Sequence, residues 1–399
     1  MLDKNTIKSS LPNTWAKWAI LFLVIAMLIG VYLRMTSFYN PISFNYRYLV
    51  HTHSHLVLLG WAFNAVATLI YFQYQDSLNP KKCKTLFILF QIALVGMMVS
   101  FPFQGYALFS ILFSSMHILV SYFFVAHFLR ATKSNINLSH KFIKLGFIFY
   151  LISTLGPLTL GPIVVMGHSH TAAYDLSIYF YLHFFYNGFF VFAILGIFLS
   201  SLGEIAEKAI VHKAFKYLGY AVIPTYVLSV FCYYTFDWLY VVGVLAAVLQ
   251  LFGFYYLWSF LRVNKSLIRD IYEGRKIRFL YVGLVALGLK IALQLFSALP
   301  VSTSIICNTY PFVVAYLHLV FIGFITFSLL GLLFQFRLIS TNAKNLHWGF
   351  IVLSVGFVFS ELVIVLPVFG IFVSIFVYYL VFFFSAMMLV GAVILVRRT

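Results

Sequence analysis

The chain has 399 residues, 63% of them hydrophobic and only 9% charged, with a formal net charge of +17. A soluble globule carries about 25% charged residues, so the composition excludes a soluble domain and indicates a membrane protein. The cationic excess is dispersed over short loops, which reads as a topogenic signal with affinity for anionic lipid and not as a nucleic-acid-binding patch.

A bilayer-spanning helix needs about 20 apolar residues. In chain order the sequence predicts twelve, at 15–37, 50–73, 84–104, 107–130, 142–166, 177–201, 214–234, 237–261, 279–299, 310–335, 346–368 and 370–396. The N-terminal stretch is polar and basic, and the first apolar run ends without a small-residue cleavage site, so no cleavable signal peptide is expected. With a cytoplasmic N-terminus, the even-numbered loops, both termini and the adjacent helix ends hold 23 of the 26 Lys and Arg. That bias predicts an all-α protein of twelve transmembrane helices with both termini cytoplasmic. A bacterial inner membrane is the expected location. The lipid bilayer is then the main partner.

The second span opens with HTHSHLVLLGW, His51 to Trp61. At about 100° per residue His51 and His55 share one helix face and His53 points nearly opposite. The three therefore cannot bind one ion unless the backbone unwinds. The fourth span carries His117. The loop before the sixth reads Met166-Gly167-His168-Ser169-His170, whose imidazoles and thioether would suit copper, or which is simply a solvated pair. The sixth span carries His183, with Tyr179, Tyr181 and Tyr186 around it as redox, proton or packing groups. The ninth holds Lys290 and, one turn on, Gln294; the tenth holds His318 and the eleventh Glu361. An unpaired charge at such depth costs several kcal/mol, so Lys290 with Glu361 is the simplest pairing. A haem propionate for Lys290, or a proton path through either residue, are the alternatives.

Ionisable groups inside a membrane usually face the bundle interior and mark function. On this topology His127, His140, His212 and His347 fall on the cytoplasmic side. The other eight, His51, His53, His55, His117, His168, His170, His183 and His318, fall in the outer half, which points to a metal or haem site. Three spans share a unit of His-x4-Gly-aromatic: His55–Gly60–Trp61, His183–Gly188–Phe189 and His318–Gly323–Phe324. Its recurrence every four helices predicts three related units, approximately 15–130, 142–261 and 279–396, within one polytopic domain. A glycine there admits a macrocycle or another helix, and the aromatic can pack on a flat ring. Three cysteines without CxxC exclude a thiolate zinc cluster and a disulfide framework. A lone Cys232–Cys307 bridge requires both to lie outside and is not the expectation.

With these elements in place the chain resembles subunit I of the haem–copper oxidase superfamily, nearest its C-type oxidase and nitric oxide reductase branch. HTHSHLVLLGW resembles that family's low-spin haem segment on helix 2. YLHLVFIGF (316–324) resembles helix 10, and YLHFFYNGFF (181–190) stands where helix 6 carries a copper ligand. The resemblance implies twelve helices in a pseudo-three-fold arrangement of four-helix arcs. It also implies a b-type haem held by His53 or His55 with His318, with Gly60, Trp61 and Gly323 against it. His183 would contact a second metal, copper, completed by His117, His51, His168 or His170. Arg34 and Arg47 are propionate candidates, with snorkelling to the interface the commoner explanation. The family's adjacent His-His pair is absent from 214–234, and Tyr316 replaces the first histidine of its helix-10 His-x-His. The expected function is thus electron transfer or an atypical terminal oxidoreductase, supplied with electrons by quinol, a cytochrome or another subunit. The other readings are haem, copper or nitric-oxide handling without turnover, and proton-coupled transport.

Overall fold

The computed structural model describes residues 10–169, 171–272, 274–371 and 374–397. The regular structure among these residues is all helical, with no strand. Eleven helices are long and apolar enough to cross a bilayer. They are α1 (Leu11–Met35), α2 (Tyr46–Tyr74), α3 (Pro80–Gln104), α4 (Leu108–Ala131), α5 (Leu138–Val165) and α6 (Ala172–Ser200). After α7 come α8 (Asp237–Val263), α9 (Gly274–Ser297), α10 (Tyr310–Gln335), α11 (Ala343–Phe369) and α12 (Phe376–Val396). The seventh expected span differs. Helix α7 runs only from Ala209 to Val222, and a 3₁₀ turn follows at Pro224–Ser229. Pro224 has no N–H to donate and its ring obstructs the preceding turn, so the apolar run at 214–234 is not one continuous helix.

The chain divides into two compact units. One comprises 1–133, 274–282 and 317–399; the other comprises 134–273 and 283–316. In lipid there is little hydrophobic gain from helix association, and close backbone approach does the work. The glycines show where. In the first unit a Cβ on Gly60 of α2 would stand 2.9 Å from Phe22 of α1, and one on Gly356 of α11 would stand 2.8 Å from the Met388 nitrogen of α12. In the second, Gly188 of α6 lies against Phe149 of α5, and Gly253 of α8 against Leu218 of α7. A Cys232–Cys307 disulfide ties the segment after α7 to the short helix Pro300–Asn308. This corrects the expectation of unlinked cysteines: hydropathy cannot say that two loop residues meet.

Each copy of the His-x4-Gly-aromatic unit takes the same unusual backbone. Immediately after its histidine the α-helix widens into a π-helical stretch: Leu56–Phe63, Phe184–Phe190 and Leu319–Thr326. Such stretches are rare and are found mostly at functional sites. They lie in the three best-buried spans, which are 83%, 89% and 72% buried against 28–50% for the other eight.

Candidate functional site

In the first unit two imidazoles are held alike. His53, on α2, places Nδ1 2.8 Å from the Ala26 carbonyl of α1. His318, on α10, places Nδ1 2.9 Å from Oε1 of Glu361 on α11. A carbonyl or carboxylate oxygen only accepts, so each Nδ1 carries the proton, and in the neutral form of either ring the lone pair is on Nε2. Neither Nε2 has a hydrogen-bond partner among the described residues. Gly30 of α1 makes room for the first ring: a Cβ there would come within 3.0 Å of His53 Cε1. His318 and, more weakly, Arg34 lie within electrostatic range of His53.

The remaining helix-2 histidines turn the other way, as the 100° spacing requires. His55 donates from Nδ1 to the His51 carbonyl at 2.9 Å, and its Nε2 lies 3.3 Å from the Tyr106 hydroxyl. Its ring centroid is 4.4 Å from that of Phe101, and the His51 ring lies 4.7 Å from Tyr106. His117 is fully buried between Phe63 and Phe90, with neither ring nitrogen bonded. Gly60 and Trp61 both make interhelix contacts. Gly60 accommodates Phe22, and the buried Trp61 donates from Nε1 to Thr326 Oγ1 at 2.9 Å, joining α2 to α10. Gly323 is buried within the π-helical stretch of α10.

In the second unit His183 is committed on both sides. Its Nε2 lies 2.7 Å from the Val222 carbonyl at the broken end of α7, and its Nδ1 lies 3.0 Å from Asn187 Nδ2. The carbonyl fixes the proton on Nε2, so Nδ1 accepts from the amide. The Tyr186 ring lies 6.3 Å from that of Tyr316. His168 is exposed, and His170 lies outside the described residues. No group of three or more His, Cys, Asp or Glu side chains gathers at metal-binding distance among the described residues. As placed, His183 has no lone pair to offer a metal while Val222 and Asn187 hold it. The expected Lys290–Glu361 pairing is corrected. Glu361 Oε1 accepts from His318, while Lys290 is 3% exposed and its ammonium has no hydrogen-bond or ion-pair partner among the described residues.

Four groups escaped sequence reasoning: the Ala26 carbonyl, Gly30, Asn187 and Pro224. Only two carried a legible signal. Asn187 stands one turn after His183, and proline interrupts the apolar run of α7; the other two act through a neighbouring helix.

Eleven long apolar helices make this a multi-span membrane protein, and its first unit presents two anchored imidazoles. No known family model matches the chain, and no curated protein matches it significantly.

Proposed function

We propose that the chain is a haem-binding membrane protein related to subunit I of the haem–copper oxidases, and that it transfers electrons. His53 and His318 would hold the haem. The observation that carries this reading is their shared geometry, with Nδ1–H anchored and Nε2 unbonded on both. Ligating histidines are held in this way by a carbonyl or carboxylate behind them, which fixes the tautomer and raises ligand basicity. Two such imidazoles would hold a b-type haem, which would supply one-electron chemistry. Arg34, within electrostatic range of His53, suits a propionate. The engaged state of His183 argues against a second metal and hence against oxygen or nitric oxide reduction at a binuclear centre. The reading leaves quinol, a cytochrome or another subunit as electron donor.

The disulfide supports the topology drawn from the basic loops. Such bonds persist on the oxidising side of a membrane, and on that topology Cys232 and Cys307 fall on the side opposite the Lys- and Arg-rich segments. The proposal accordingly has both termini cytoplasmic and the histidines in the outer half of a bacterial inner membrane.

A dithionite-reduced minus oxidised spectrum of the purified protein tests the function. We expect a low-spin b-type alpha band, lost in His53→Ala and His318→Ala and kept in His55→Ala. A purified, folded protein with no bound haem that takes up none on titration overturns the reading.

A further inference from the structure

Among its described residues, the second unit buries a lysine with no carboxylate paired to it. Lys290 lies in the middle of α9, 3% exposed, and Gln294 one turn on is 5% exposed. Leaving one buried charge uncompensated is strongly unfavourable. This unit's own carboxylates stand elsewhere. Asp175 opens α6 and accepts from the Tyr233 hydroxyl at 2.8 Å, and Asp237 opens α8. Glu207 accepts from the Leu138 backbone N–H at the start of α5. Glu204 and Asp270 lie in the segments joining helices. Glu273 is outside the described residues.

The surroundings of Lys290 are polar and underused. His183 is within electrostatic range of it. Asn187 Oδ1 and Gln294 Oε1 are sealed from solvent with no donor. Beside His183, helix α7 breaks at Pro224, and the Val222 carbonyl takes side-chain bonds from His183 and Thr225. An interrupted helix beside an intramembrane charge is a recurring form of binding site in membrane proteins. A cation in want of an acceptor and two amide oxygens in want of a donor are satisfied together by an anion carrying water. The anion accepts from the ammonium, and the water donates to the amides.

We propose that Lys290 is the cationic post of a binding site for one monovalent anion in the membrane interior of the second unit, with Asn187 and Gln294 lining it. The ion is monovalent because one charge is unbalanced. It is either a free halide-like ion or the carboxylate of a larger bound molecule. The proposal stands independently of His53 and His318, which lie in the first unit.

The test is thermal unfolding of the full-length protein in detergent at fixed pH and ionic strength, with sodium bromide or sodium acetate replacing sodium methanesulfonate. Wild type, Lys290→Arg and Lys290→Gln are compared. For a free halide-like ion, bromide raises the wild-type melting temperature saturably, by about 2 °C or more at ten times its dissociation constant. For a carboxylate, acetate does so and bromide does nothing. Lys290→Arg keeps the response. Lys290→Gln loses it and in methanesulfonate melts no lower than wild type, which also shows that the variant folds. A wild type that responds to neither anion, or an equal response in all three proteins, overturns the proposal.

Discussion

The bond between His318 and Glu361 gives the sharpest quantitative test of the haem reading. Replacing Glu361 by Ala removes the acceptor 2.9 Å from Nδ1. The carboxylate is 14% exposed and the imidazole 24%, so water replaces the lost acceptor poorly. Hydrogen bonds to a charged group contribute about 1.5–3 kcal/mol, and 1.4 kcal/mol is a factor of about ten. Haem affinity should then fall about 10- to 100-fold, the range seen when partners behind metal-ligating histidines are removed. Glu361→Gln keeps an acceptor without the charge, and neutral bonds are about half as strong, so it should fall between. The fold need not suffer in parallel. Glu361 Oε2 is sealed from water with no partner, so removing the carboxylate also relieves an existing cost. The assay is a haem titration of the apoprotein followed at the Soret band, with a melting curve of each apoprotein beside it. The expected order of affinity is wild type, Gln, Ala, with apoprotein melting temperatures within a few degrees. If Glu361→Ala binds haem as wild type does while His318→Ala does not, the anchoring argument fails. If affinity and apoprotein melting temperature collapse together, Glu361 is a structural residue.

Other expectations follow from single contacts. Gly30→Leu drives a side chain into the His53 ring, now 3.0 Å from where a Cβ would stand; haem content should drop at least tenfold, and Gly30→Ala should lose less. Trp61→Phe removes the bond to Thr326 Oγ1, costing about 1 kcal/mol in stability while leaving the haem spectrum unchanged; a shifted spectrum would return Trp61 to the cofactor. Replacing both Cys232 and Cys307 by Ser opens a loop spanning 75 residues. Chain entropy values that at about 4 kcal/mol, an upper bound because helices persist in the unfolded membrane state. A lower melting temperature and a thiol reagent reacting only after reduction, and only from the outside, are the readouts.

Much of this was readable in the sequence for physical reasons. Apolar length set the helices, since lipid permits no unsatisfied backbone. Helical spacing separated His53 from His51 and His55, and the structure keeps that division: one ring turns toward α1, the other two toward Phe101 and Tyr106. The choice between the two faces was not readable, because it depends on Ala26 and Gly30, which belong to another helix. The glycines of the repeated unit left macrocycle and helix as alternatives; Gly60 and Gly188 both meet a phenylalanine of a neighbouring helix. Hydropathy carried the seventh span straight through Pro224, since a proline barely lowers the average of an apolar window although it ends the hydrogen-bond ladder.

The three π-helical copies also explain how one unit supports different chemistry. Four residues after the motif histidine stand Leu59, Asn187 and Ile322. An apolar residue there offers the ring nothing, so His318 takes its bond from another helix and leaves Nε2 unbonded. In the second copy Asn187 sits one turn on and donates to His183 Nδ1, while the break at Pro224 leaves the Val222 carbonyl to accept from Nε2. Two local features thus turn an imidazole at the repeated position from a lone-pair donor into a structural crosslink. The first copy takes a third route. His55 is occupied by the His51 carbonyl and Tyr106, and the anchored ring with a free nitrogen is His53, two residues earlier. The repeated backbone specifies where a histidine enters the bundle. Whether that histidine can bind a metal is decided by the acceptors and donors around it.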